Sequence, residues 1–386
     1  MMKLQMVATC LFGLEKLLGE EIDALGCRRI ETIDGRIYFE GDERQMVAAN
    51  IRLRFAERVY IALGSFEARS FEELYEGTRA LPWENWIGED DAFPVKGHAI
   101  RSVLFSVPDC QSIVKKAVVD RLSSVYGVSW FSEECVKYQI EFFLFKDRVT
   151  LMIDTSGMPL HKRGYRTEAG DAPLRETLAA AVAAIARPRE DVLLWDPFCG
   201  SGTIVIEAAM QMTHRAPGLG RSFAAEDFWQ IDPVLWEEER ARAESEILNE
   251  SEFRCYASDI DPKVLAIAKE NAKRAGVENY IKFFVKNALD IKKEDCRGTI
   301  VCNPPYGERL MTPEEVRRLY IGMGKTFSAL APWQIYILTS SEELERLYGR
   351  RADKIRKLYN GMIPCRLYQY FKPALPDRRA ETRGKK

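Results

Sequence analysis

The residues that could do chemistry in this chain lie in three stretches, each following an apolar run. Asp196-Pro197-Phe198-Cys199-Gly200-Ser201-Gly202-Thr203 follows Val192–Trp195 and opens a helix. Its glycines let the backbone pass close to a ligand, and the N–H groups of a helix start face it, as a nucleotide-like cofactor requires. Val205 stands where a dinucleotide fingerprint has its third glycine, and no Gly-Lys-Ser/Thr closes the turn, so neither an NAD fingerprint nor a P-loop is complete. A tight strand-to-helix turn without a ligand is the plainer alternative. In Tyr256-Ala257-Ser258-Asp259-Ile260-Asp261-Pro262, the Asp259 carboxylate ends a strand and can accept two hydrogen bonds from a ribose diol. Asp261 precedes a proline at the first helical position and reads as an N-cap.

The third stretch is Cys302-Asn303-Pro304-Pro305-Tyr306-Gly307. A conjugated exocyclic amine is a poor nucleophile because its lone pair is delocalised into the ring. If the Asn303 side-chain oxygen and the Pro304 carbonyl accept its two N–H bonds, the nitrogen can pyramidalise and present that lone pair to an electrophilic methyl group. Pro304 and Pro305 stiffen the loop, and Tyr306 offers a face on which a flipped base can stack. Read alone, Asn-Pro-Pro-Tyr is also a rigid surface turn. Asn287 and Ala288 end another expected strand, where a polar side chain can meet the adenine edge of a cofactor.

Composition excludes several other chemistries. The nine cysteines include no C-x-x-C pair, which supports neither a disulfide framework nor a zinc site. His98, His161 and His214 are too far apart in sequence to suggest a histidine metal site or a Ser-His-Asp triad. The apolar run Leu178–Ala186 falls well short of the ~20 residues a membrane span needs, and no signal-peptide pattern opens the chain. A cytoplasmic protein without a membrane partner is expected. The net charge of −2 leaves room for local basic surfaces, so it does not argue against nucleic acid.

The positioning elements follow from periodicity. Before residue ~155, short strands (Leu4–Ala8, Arg36–Phe39, Val59–Ala62, His98–Ser102) alternate with helical patterns, one of them capped by Asp109. A hairpin, Tyr138–Phe145 with Val149–Ile153, turns at Lys146-Asp147. These predict small α+β layers. After Pro188 strand and helix alternate, predicting an α/β doubly wound, mostly parallel sheet with ligands at its carboxyl strand ends. Asp259 lies 59 residues beyond Gly200, so an insertion is expected from about His214 to Phe253. Its Phe223, Phe228, Trp229 and Trp236 read as local packing in preference to a lid. A basic tail closes the chain.

Together, Asp196–Thr203, Asp259 and Asn303–Gly307 resemble the class I S-adenosylmethionine-dependent methyltransferases of exocyclic amines. With His161–Arg166, Ala172–Ala180 and Asn303–Leu310, the chain is similar to the THUMP-domain methyltransferases of the bacterial 23S rRNA guanine-N2 group. Val95-Lys96-Gly97 and Cys110–Lys116 resemble the THUMP RNA-binding module behind a ferredoxin-like segment. The resemblance implies a ferredoxin-like segment at 1–60, a THUMP domain at 61–160, a Rossmann-like methyltransferase domain at 161–372 and a tail at 373–386. It implies Asn303, Pro304, Pro305 and Tyr306 as the catalytic loop. Asp196, Phe198, Cys199, Gly200, Ser201, Gly202, Thr203, Asp259, Ile260, Asn287, Ala288 and Asn303 would then line the S-adenosylmethionine site. Asn287 stands where many relatives have Asp, and its amide can still donate and accept.

The implied partner is structured RNA, 23S rRNA or a ribosome assembly intermediate, with Lys96, Lys115, Lys116, Lys162, Arg163 and Arg166 as candidate phosphate contacts. A guanine in tRNA, adenine N6 in DNA, and a non-catalytic RNA-binding assembly factor are the competing readings.

Overall fold

The computed structural model describes residues 3–166, 174–306 and 311–371. Ala172, Pro173, Gly307–Leu310 and the expected basic tail lie outside the described residues. The chain divides into two units: Met1–Gly164 with Arg215–Ile247, and Tyr165–His214 with Leu248–Lys386.

In chain order the first unit holds β1 (Leu4–Cys10), α1 (Glu15–Ala24), β2 (Arg28–Ile33), β3 (Arg36–Gly41), α2 (Glu43–Arg52) and β4 (Ala56–Glu67). It continues with α3 (Phe71–Arg79), β5 (Val95–Ile100), α4 (Val107–Tyr126), β6 (Ile140–Phe145) and β7 (Arg148–Asp154). The seven strands form one sheet, β2-β3-β1-β4-β7-β6-β5. The twelve-residue β4 holds it together: Ala56–Ile61 pairs with β1, and Tyr60–Glu67 pairs with β7. The domain division expected at residue 60 therefore falls inside a strand shared by both segments.

Capping boxes at Asp42 and Ser70 start α2 and α3. The hairpin between β6 and β7 turns at Lys146 (φ 51°) and Asp147 (φ 65°), as two-residue hairpin turns require. Three features depart from the sequence reading. The strand expected at His98–Ser102 lies at Val95–Ile100. Helix α4 begins at Val107 after Ser106, placing Asp109 within the first turn, where its charge complements the helix dipole, instead of at the cap. Strand β2 was not foreseen: five of its six residues are exposed, so it has no apolar alternation to read.

The second unit begins with α5 (Glu176–Ala186), β8 (Leu193–Asp196) and α6 (Thr203–Met212). The chain then lends Arg215–Ile247, including α7 (Pro233–Ser245), to the first unit, so the methyltransferase segment expected at 161–372 is interrupted. Within this insertion Phe228 stacks on Tyr138 with ring centroids 4.3 Å apart, and Gln230 donates to the carbonyls of Asn85 and Trp86. Arg52 pairs with Glu239 and Glu246. Phe223, Phe228 and Trp236 are buried, as the packing reading holds, whereas Trp229 is exposed.

The second unit resumes with β9 (Cys255–Asp259), α8 (Pro262–Arg274), β10 (Ile281–Val285), β11 (Gly298–Cys302), α9 (Pro313–Ser328) and β12 (Gln334–Thr339). It ends with α10 (Leu344–Tyr348), β13 (Lys354–Asn360) and β14 (Ile363–Tyr370). Its sheet runs β10-β9-β8-β11-β12-β14-β13; β8 to β12 are parallel, and β14 is antiparallel to both its neighbours. A core of Trp195, Ile300, Tyr320, Phe327, Ile337 and Tyr370 packs against this sheet. Among the described residues no helix is long and apolar enough to cross a membrane.

Phe228→Ala should lower unfolding stability by about 3–5 kcal/mol, because a fully buried ring is lost from a packed stack. The shift in urea midpoint checks this; a loss under about 1 kcal/mol would detach the insertion from the core of the first unit.

Candidate active site

All the site stretches lie at or beyond carboxyl ends of parallel strands. At the end of β8, Asp196 is 1% exposed, and its Oδ1 accepts the Phe198 N–H at 3.0 Å. Burial raises its pKa to about 8, against the opposing Phe198 hydrogen bond and with the Asp259 charge adding to the rise. The following turn needs both glycines. Gly200 has φ +52°, and Gly202 has φ +83° with a Cβ position 3.1 Å from Ala268 Cβ. The turn is pinned by Cys199 N–H on the Ser258 carbonyl (3.1 Å) and by Asn271 Nδ2 on the Ser201 carbonyl (3.1 Å).

Asp259, at the end of β9, faces that turn. Its Oδ2 accepts the Gly200 N–H at 3.0 Å and its Oδ1 the Asp261 N–H at 3.1 Å. Each oxygen keeps a lone pair for a hydroxyl. Ile260 beside it is 69% exposed, an apolar surface at the mouth of the turn. Asp261 caps α8 through the Lys263 N–H (2.8 Å). Beyond β10, Asn287 Oδ1 accepts the Leu289 N–H at 2.9 Å, and Ala288 is buried.

Asn303 follows the buried end of β11, and its Oδ1 is a buried acceptor with no partner among the described residues. Pro304 is buried and Pro305 half-buried. The loop is held from α9: the Tyr320 hydroxyl donates to the Pro305 carbonyl at 3.3 Å and lies 2.8 Å from Thr339 Oγ1 on β12. Burial raises the Tyr306 phenol to about 12, with charge interaction from Cys365 and side-chain hydrogen bonding to Cys365 and Asn360 also acting on it. Sequence reasoning missed Tyr320. Its signal was a hydroxyl on the otherwise apolar stripe Val316, Met323 and Phe327.

The basic candidates divide. Lys96, Lys116 and Lys162 are exposed. Lys115 instead pairs with Glu133, donates to the Phe93 carbonyl at 3.2 Å and sits 3.5 Å over the Phe93 ring. Arg163 is 4% exposed and donates to the carbonyls of Leu160 and Arg54. Arg166 forms a buried ion pair with Glu176 at 2.7 Å and reaches Thr203 Oγ1 at 3.4 Å. The phosphate reading of these three is replaced by internal roles, because their cationic groups are committed to internal partners. Among the described residues, no group of three or more His, Cys, Asp or Glu is placed to hold a metal ion.

This arrangement defines a class I methyltransferase fold, joined in one chain to a ferredoxin-like and THUMP sheet. Family models match in the same order: the RlmL ferredoxin-like domain over 5–60, the THUMP domain over 68–154, and the "RMKL-like, methyltransferase domain" over 163–369. The chain belongs to this RMKL-like methyltransferase family. It is 42% identical over 381 residues to YpsC of Bacillus subtilis (strain 168), named as an RNA methyltransferase, covering 98% of this chain and 99% of that protein. It is 35% identical over 366 residues to the ribosomal RNA large subunit methyltransferase K/L of Psychromonas ingrahamii (strain DSM 17664 / CCUG 51855 / 37). That match covers 93% of this chain and 49% of the relative, so the chain spans about half that relative's length. The solved structure of SMU.472, named as a methyltransferase and complexed with SAH, superposes with a TM-score of 0.89 at 38% identity, covering 97% of this chain and 99% of that one.

The raised pKa of Asp196 sets a sign for stability. Above the unfolded value of 3.8 and below about 8, the folded state holds a proton that the unfolded state lacks, so stability falls as pH rises through this window. Asp196→Asn removes that slope: relative to wild type, the variant should gain stability between pH 5 and pH 8, read by urea unfolding at each pH. Parallel pH profiles would refute the buried, protonated carboxyl.

Proposed function

We propose that this chain is a cytoplasmic S-adenosylmethionine-dependent methyltransferase that modifies the exocyclic N2 amine of a guanine in structured RNA, with 23S rRNA or a large-subunit assembly intermediate as substrate. The observation that carries the reading is Asn303 Oδ1, buried and without a hydrogen-bond partner among the described residues. An unpaired amide oxygen costs about 1–3 kcal/mol, and an amine N–H of the substrate would satisfy it.

The cofactor fits the residues present. The Gly200 turn has open space where a Cβ would stand, Asp259 retains acceptor capacity for a ribose diol, and the exposed Ile260 provides an apolar face for an adenine. When bound, S-adenosylmethionine supplies an electrophilic methyl group on a sulfonium centre. The chain's own residues do the rest. Asn303 Oδ1 and the Pro304 carbonyl accept the two N–H bonds of the amine and draw its nitrogen toward a pyramidal geometry. The Tyr306 ring supports the extruded base, and Tyr320 with Thr339 holds the loop in register. After transfer the amine is acidic and loses its proton to water, without a general base.

The choice of RNA is supported by the THUMP module and by the relatives' names; that of guanine N2, by the resemblance of Asn303–Leu310. Tritiated S-adenosylmethionine supplied with unmethylated 23S rRNA, tRNA and duplex DNA should place label in N2-methylguanosine of rRNA. Label confined to adenine in DNA would overturn the substrate while retaining the loop chemistry. Asn303→Ala should cut turnover about 100-fold while RNA affinity changes less than about twofold; an equal fall in both would remove Asn303 from the chemical step. Asp259→Ala should weaken S-adenosylmethionine binding in calorimetry, and unchanged affinity would remove it from the ribose role.

A further inference from the structure

The hairpin β13–β14 was absent from the sequence reading, and its composition departs from the rest of the chain. From Lys354 to Phe371 it carries Lys354, Arg356, Lys357 and Arg366 and no acidic residue, in a chain of net charge −2, with Arg366 paired to Glu342 at 2.6 Å and so outside the count of open cations. Strand β13 is the outer edge of its sheet. Lys354 and Lys357 are exposed, with no acidic partner among the described residues, and Arg356 Nε is buried without a hydrogen-bond partner.

At the tip stands Met362, 95% exposed, the most exposed large apolar side chain among the described residues. The register pairs Arg366 of β14 with Thr339 at the carboxyl end of β12, and Thr339 Oγ1 lies 2.8 Å from the Tyr320 hydroxyl that donates to the Pro305 carbonyl. The tip therefore stands at the same end of the sheet as the loop on which the target base would stack. Lysines on an edge strand also discourage strand pairing, which accounts for Lys354 and Lys357 without a ligand. That explanation does not extend to a fully exposed methionine, which works against solubility. A basic rail ending in an apolar wedge beside a base-binding tyrosine matches what base extrusion needs: phosphate contacts along the backbone, and an apolar group to enter the gap left in the stack.

Resting on the RNA reading above, we propose that β13–β14 is the RNA-docking element of the methyltransferase unit, with Met362 as the wedge that fills the place of the flipped base. The probe is an unmodified 23S rRNA transcript with full-length protein. In the Lys354→Ala/Lys357→Ala double variant, the slope of log affinity against log salt should fall by about 1.4–1.8, the loss expected for two phosphate contacts. Met362→Ala should lower kcat about tenfold with RNA affinity within twofold, Met362→Leu should restore the rate, and S-adenosylmethionine affinity should stay unchanged in both.

An unchanged salt slope, or a Met362→Leu variant as slow as Met362→Ala, overturns the proposal. So does wild-type protein that sediments as a dimer which Met362→Ala dissociates, since the tip would then be a contact between copies. Wild-type protein that methylates no RNA defeats the functional reading instead, and the salt slope still decides the hairpin.

Discussion

The constraint on which the site depends is one buried acceptor, Asn303 Oδ1, that has no hydrogen-bond partner among the described residues. An amide oxygen buried without a donor costs about 1–3 kcal/mol, and a chain left to relax would rotate Asn303 toward water or a neighbouring N–H. Several features oppose that relaxation. Cys302 is fully buried on a strand paired on both sides, Pro304 and Pro305 remove two backbone donors, and Tyr320 takes the Pro305 carbonyl while itself lying in the core. The hydrophobic core formed by α9, β11 and β12 thus anchors the loop that carries Asn303.

The cofactor side follows a different logic. Here the polar groups are already satisfied within the protein: Asp259 accepts two backbone N–H groups, and Asp196 accepts one. These bonds fix the two carboxyl groups to the glycine turn, so a ligand meets a preformed surface. Glycine at 200 and 202 is the condition for this, because only a turn with positive φ at both brings the Gly200 N–H onto the neighbouring strand's carboxylate. Arg166, read from sequence as a phosphate contact, serves the same turn from the other side through Thr203 and Glu176.

What was legible in the sequence followed from local rules. Glycine turns, the Asp261 N-cap, the Lys146-Asp147 hairpin and the strand-helix alternation all depend on neighbours within a few residues, and the structure places them accordingly, whereas Asp109 falls inside the first turn of α4. The polar strand β2 was not legible because an exposed edge strand has no buried face to impose a period. The hairpin β13–β14 was missed because its basic outer strand reads as a solvated loop. The fates of Lys115, Arg163 and Arg166 were equally hidden. Composition reveals a cation, but only the fold brings Glu133, the Arg54 carbonyl or Glu176 to it. Tyr320 was missed for the opposite reason, since a tyrosine in an apolar stripe reads as core, and it is core, with a hydroxyl that has work at the loop.

The insertion shows how connectivity and packing can diverge. By sequence, residues 215–247 interrupt the methyltransferase domain between α6 and β9; by packing they belong to the RNA-binding unit. The chain therefore passes between the units three times, after Gly164, His214 and Ile247. A cut at Gly164 would not release a complete first unit. It would strip Tyr138 of the Phe228 ring, leave the Asn85 and Trp86 carbonyls without Gln230, and deprive Arg52 of both its carboxylates. A guanidinium in which Nε faces one glutamate and both terminal nitrogens face another does not lose those partners cheaply once it is partly buried. The folded state of the RNA-binding half is thus written partly in the sequence of the catalytic half, a coupling that a domain boundary drawn along the chain does not capture.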